Sequence, residues 1–171
     1  AAGLMTLGRN GSDSPETEVG SAPDPVSWTT NSEEPALDIA ESIGRILRRE
    51  EVVADLFYDV FLDRYPEVRA FFVEVNLWRQ AVLLTMALKA VVEHYTYRFP
   101  LTKMYLQILG HRHHTWGVKR ELYPKFRDCL LTTLERFHGT EWDHNVARQW
   151  REALDGAIAV MLEAYPQCSS V

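Results

Sequence analysis

The 171 residues carry 18 Lys and Arg against 24 Asp and Glu, a net charge of −6, and 46% of them are hydrophobic. Those values suit one globular domain with a core large enough to enclose a ligand. Residues 1–34 hold six acids and one base, whereas residues 35–171 hold 18 acids and 17 bases, so the second part is almost neutral and phosphate-backbone binding is excluded as its main task.

The first 34 residues are rich in Gly, Ser, Pro, Thr and acids and lack aliphatic periodicity, which predicts a disordered acidic extension. No apolar stretch there reads as a secretory signal. Two cysteines, Cys129 and Cys168, make no disulfide framework, so a reducing cytoplasm is the expected compartment. From residue 35 to 166 the pattern is helical, with a short tail at 167–171. Pro35 suits a helix start, and the run after it places Leu37, Ala40, Ile43 or Gly44, and Leu47 on one face. A second helix over about 50–64 carries Val53, Ala54, Phe57, Tyr58 and Phe61. Pro66 opens a short helical turn ending near Phe72. A long helix follows over about 76–97, with Asn76 as its N-cap. Its run at 81–92, interrupted by Thr85 and Lys89, is too short to cross a membrane and reads as buried helix. A proline breaks the pattern at 98–102. Helices over 103–114, 119–138 and 141–165 complete the chain, ended by Gly117, Gly139 and Pro166. No segment alternates as a strand would. The result is an all-α domain of six or seven unequal helices, whose lengths suit steep crossings better than a regular bundle.

The stretch LGHRHHTWGV, residues 109–118, puts three histidines in four positions. On a helix, Tyr105, Leu109 and His113 share an apolar face, while His111 and His114 point to the opposite side. The three imidazoles therefore cannot converge on one ion, and zinc would want thiolates or further ligands nearby. His113 is left as the one polar member of an apolar face. The 76–97 helix repeats that feature: Gln80 interrupts the stripe Leu77, Leu84, Leu88 and Val91. A buried amide without partners costs a few kcal/mol, so both residues call for an occupant. Tyr58, beside Phe57 and Phe61, is a third such group. A large apolar ligand carrying a metal at its centre satisfies all three, with His113 on the metal and Gln80 and Tyr58 facing its other side. His94, His138 and His144 are expected to face solvent.

These residues resemble a globin, and within that superfamily the lineage of flavohaemoglobins and single-domain bacterial haemoglobins. The likeness covers about 36–165. LGHRHHTWGVKRELYPKFRDCLL is similar to the segment in which such globins carry the iron-binding histidine, here His113, and FYDVFLDRYPEVRAFF is similar to their second helix and the loop after it. The resemblance implies a three-over-three helical sandwich holding haem b, with Tyr58 and Gln80 on the gas-binding side. It further implies Phe72 stacked on the haem, Leu84 as the pocket aliphatic, and Trp150 as the tryptophan common in the last helix. Trp116, Val118 and Phe126 wall the haem beside Leu109.

In that family a tyrosine ten residues after the iron ligand, here Tyr123, acts with a glutamate of the last helix to make the histidine more electron-donating. Here Tyr165 holds the glutamate's position and Glu163 lies two residues away, so that carboxylate is missing. Tyr123 is left as either a tuning or a packing residue. The implied function is reversible binding of dioxygen, with nitric oxide and carbon monoxide as further ligands. Nitric oxide dioxygenation with an external reductase, or a haem-based sensor module, are the alternatives. No nucleic acid or membrane partner is expected, and the chain reads as a monomer or weak dimer.

Overall fold

A computed structural model describes residues 36–73 and 76–166. The acidic segment 1–34, the tail 167–171 and the side chain of Leu77 lie outside the described residues. The helices are α1 (Ile39–Arg48), α2 (Glu50–Arg64), a 3₁₀ helix (Pro66–Phe72), α3 (Leu77–Tyr97), α4 (Pro100–Thr115), α5 (Leu122–His138), a 3₁₀ turn (Gly139–Glu141) and α6 (His144–Leu162). No strand occurs among the described residues, so the domain is all-α as its periodicity predicts. No helix among them is long and apolar enough to cross a membrane.

Side chains that satisfy the first free N–H groups set where the helices begin. Asn76 caps α3 as expected, accepting the Arg79 N–H at 3.2 Å. The start expected at Pro35 lies outside the described residues; α1 begins at Ile39 because Asp38 is its cap, accepting the Glu41 N–H at 2.8 Å. Asp143 likewise delays α6, taking the Val146 N–H at 2.9 Å. The expected break at 98–102 shrinks to Arg98 and Phe99. Arg98 turns left-handed (φ 56), and Pro100 starts α4 at a position where no N–H is needed.

α6 packs against α3, α4 and α5, while α2 packs against α3 and α5. Phe57, Leu88, Leu106, Leu130 and Trp150 are fully buried between them, as is Ile46 of α1 against α3 and its neighbours. Each such side chain contributes roughly 1.5–3 kcal/mol by leaving water. Exposed ion pairs such as Lys89–Glu93 (2.9 Å) and Arg148–Glu152 (2.9 Å) contribute about 0–1 kcal/mol each. The apolar interior, not the charged surface, therefore fixes the helix positions.

Two expectations need correction. The buried face of α1 is Ile39, Ser42, Ile43 and Ile46, leaving Ala40 and Leu47 exposed. Ser42 draws the helix round: its Oγ accepts the indole N–H of Trp150 at 2.9 Å and lies 2.8 Å from His138 Nε2. His138 and His94 are buried rather than solvent-facing. His138 closes the Ser42–Trp150 network and stacks on Trp142 with ring centroids 5.9 Å apart. His94 is enclosed near the end of α3, and its Nδ1 has no partner among the described residues. His144 is exposed as expected.

Burial, reinforced by nearby Arg45, pushes His138 down to about 4. Above the ordinary histidine value of 6.5 both folded and unfolded chains hold it neutral, and its contribution to stability is complete. Between pH 6.5 and about 4 the unfolded chain takes up a proton that the folded chain refuses, so stability falls as pH falls. Urea unfolding at pH 4.5 should show about 2–3 kcal/mol less stability than at pH 7 from this group. His138→Gln should flatten that dependence; an equally steep one would remove His138 as its source.

Candidate functional site

The histidine run ends in a motif that depends on its glycine. Gly117 adopts φ 80, where a side chain would be strained. That turn lets the Gly117 N–H reach the His114 carbonyl and the Val118 N–H reach the His113 carbonyl, each at 3.0 Å. Both free carbonyls are thereby satisfied, and the residue after the turn, Val118, is brought back beside His113.

His113 is half-buried, whereas His111 and His114 are exposed. Burial and neighbouring Arg112 hold its imidazole below the ordinary histidine range, so it is neutral at pH 7. Its Nδ1 lies 3.3 Å from the Tyr123 hydroxyl, and Nε2 takes no hydrogen bond among the described residues. Tyr123 lies 3.2 Å from the Tyr165 hydroxyl, which donates to the Val118 carbonyl at 2.8 Å. Burial, with help from Tyr165, keeps the Tyr123 phenol protonated. His114 packs on Tyr165 with ring centroids 4.8 Å apart. No group of three or more His, Cys, Asp or Glu side chains among the described residues is placed to hold a metal by itself.

α2 and α3 supply the second polar pair. The Tyr58 hydroxyl donates to Gln80 Oε1 at 3.4 Å. Burial pushes this phenol up to about 12, so it is a neutral donor at any ordinary pH. Phe72 meets Tyr58 edge-on at 5.3 Å, and Phe57 links Tyr58 (5.3 Å) to Phe126 (4.9 Å). Leu84 is buried, and Leu109, Val118 and Phe126 are partly buried against the same core. Trp116 is 58% exposed, its ring 6.0 Å from that of His113 and covered by the Arg112 guanidinium at 5.2 Å.

The sequence reading missed two participants. Tyr165 was legible only as a departure from a family pattern, although its hydroxyl joins Tyr123 to Val118. Gly110 had no signal beyond its small size. A Cβ there would lie 2.1 Å from the Met161 carbonyl oxygen, so α4 and α6 can approach only through a glycine.

The chemistry of His113 fits a porphyrin iron: a neutral imidazole with one nitrogen tied and the other without a hydrogen bond among the described residues is of the kind that ligates haem. The chain matches the Globin family over residues 55–161. It is 26% identical over 146 residues to a flavohemoprotein of Bacillus cereus, covering 80% of this chain and 35% of that protein. It is 27% identical over 143 residues to a flavohemoprotein of Bacillus anthracis, again covering 80% and 35%. The chain thus spans about a third of the length of these relatives. Match and helix order agree, and the chain belongs to the globin family of haem proteins.

Proposed function

We propose that this chain binds dioxygen reversibly on haem b, with residues 35–166 as the haem-holding unit and His113 Nε2 as the iron ligand. Nitric oxide and carbon monoxide are further gases it would take. The observation that carries the reading is the Tyr58–Gln80 pair, two neutral polar groups meeting among aromatic side chains. Haem supplies an iron with one position open to a diatomic gas. The chain does the rest. Phe72, Leu84, Leu109 and Phe126 would give a porphyrin apolar contact, and Trp116, Val118 and Tyr123 would lie on its His113 side. The Tyr58 hydroxyl, which donates to Gln80 Oε1 at 3.4 Å, and the Gln80 amide N–H would be the two donors available to a gas held there. A gas that gains negative charge is held most strongly, because such hydrogen bonds gain strength where water is excluded.

Tyr58→Phe removes that donor and keeps the ring. A hydrogen bond to a charged acceptor is worth about 1.5–3 kcal/mol, so oxygen dissociation should accelerate about 10- to 100-fold in stopped-flow mixing. An unchanged rate removes Tyr58 from the role. Nitric oxide dioxygenation, with electrons from a reductase, is the second reading; the name of the relatives, which joins flavin to haem, favours it. Repeated nitrate formation after mixing the oxygenated protein with nitric oxide and a reductase would promote it to first place.

A further inference from the structure

The hydroxyl of Tyr165 has one proton, and it is given to the Val118 carbonyl at 2.8 Å. A carbonyl can only accept, so the direction of this bond is fixed. Toward Tyr123, 3.2 Å away, Tyr165 can therefore act only as an acceptor, and Tyr123 must donate. The Tyr123 proton is then committed as well. Toward His113, 3.3 Å away, Tyr123 has only lone pairs to offer, so the imidazole must carry its proton on Nδ1. One backbone carbonyl thus orients three side chains in series. The Val118 peptide also donates its own N–H to the His113 carbonyl at 3.0 Å, so the carbonyl that ends the chain is anchored to the residue that begins it.

We propose that Tyr165 is a positioning residue that, through Tyr123, holds His113 in the Nδ1–H form and reserves Nε2 for the metal. The proposal rests on the haem reading above and deepens it. Every acceptor in the chain is neutral: two phenols and a peptide carbonyl. A neutral chain fixes the tautomer without pulling the Nδ1 proton away, so His113 serves as an ordinary imidazole rather than one driven toward imidazolate. Donor strength of that kind suits reversible gas binding better than oxidative chemistry. If Tyr165 loses its hydroxyl, Nδ1 is the hydrogen-bond partner left to Tyr123 among the described residues. Accepting from Tyr123 places the imidazole proton on Nε2, the nitrogen the metal needs.

The test uses the haem-loaded protein. Resonance Raman of the ferrous, gas-free form reads the iron–histidine stretch, and transfer to a haem-free acceptor protein reads haem loss. Tyr165→Phe keeps the packing on His114 and should weaken the stretch and speed haem loss by about tenfold. In a Tyr123→Phe background the same substitution should do nothing further, because Tyr165 acts only through Tyr123. Tyr165→Glu supplies a charged acceptor and should raise the stretching frequency and favour ferric iron. No change in Tyr165→Phe, or the same change with Tyr123 present or absent, overturns the proposal. A wild-type spectrum without a stretch that depends on His113 would instead sink the haem reading, so the two failures are distinguishable.

Discussion

His113→Ala should abolish the iron–imidazole bond while leaving the helices in place. Partners that merely support a metal ligand are worth about 10- to 100-fold in metal affinity, so loss of the ligand itself should weaken haem retention by at least about 100-fold. The cost to folding is small by comparison. The half-buried side chain makes one long hydrogen bond, to Tyr123, worth about 1 kcal/mol. His111→Ala provides the contrast within the same run. That residue is exposed and does not share a face with His113, so the variant should keep the wild-type ferric and ferrous absorption spectra, whereas His114, which packs on Tyr165, is no such control. His113→Gly separates ligation from packing, because added imidazole should restore the iron spectrum if the ring's nitrogen is what matters. An unchanged spectrum in His113→Ala would end the functional reading, whatever the variant's stability.

How the sequence encodes the domain differs from element to element. Helix existence was legible from apolar spacing, and Asn76, Pro66 and Gly117 marked their ends by local chemistry alone. The expected starts at Pro35 and 141 did not weigh Asp38 and Asp143, whose carboxylates accept free N–H groups and so set where α1 and α6 begin. Periodicity misplaced the buried face of α1 because it weighs hydrophobicity, and the residue that orients this helix is a serine. Ser42 is buried by its bonds to Trp150 and His138, more than 90 positions away, and no local pattern reports that. His138 was misjudged for the same reason. The candidate residues His113 and Gln80 stand out in the sequence because each interrupts an apolar stripe. The sequence also marks Val118, but not the bond by which its carbonyl accepts from Tyr165, because hydrogen-bond direction is defined only in the folded chain.

Gly110→Ala is expected to be the most damaging single-methyl change on α4, and its cause lies in backbone rather than side chains. The added Cβ would sit 2.1 Å from the Met161 carbonyl oxygen and 2.6 Å from its Cα, well inside van der Waals contact. A flexible side chain could rotate away; a helix backbone cannot. α4 would have to slide or lift off α6, and the same crossing holds buried Leu106 one turn earlier and His113 one turn later. Overpacking in a close-packed interior costs about 1–3 kcal/mol when neighbours can shift. A rigid neighbour puts this case at about 3 kcal/mol or more, against the slight gain that alanine brings inside a helix. Urea denaturation should record that loss. Because Tyr165 follows Met161 by one turn, displacement of α6 should also separate Tyr165 from Tyr123 and disturb the haem spectrum. Gly156→Ala is the control, since a Cβ on that α6 residue meets nothing within 4 Å and should leave stability unchanged or slightly raised. If Gly110→Ala unfolded at the wild-type midpoint, α4 and α6 could not cross as closely as the structure has them.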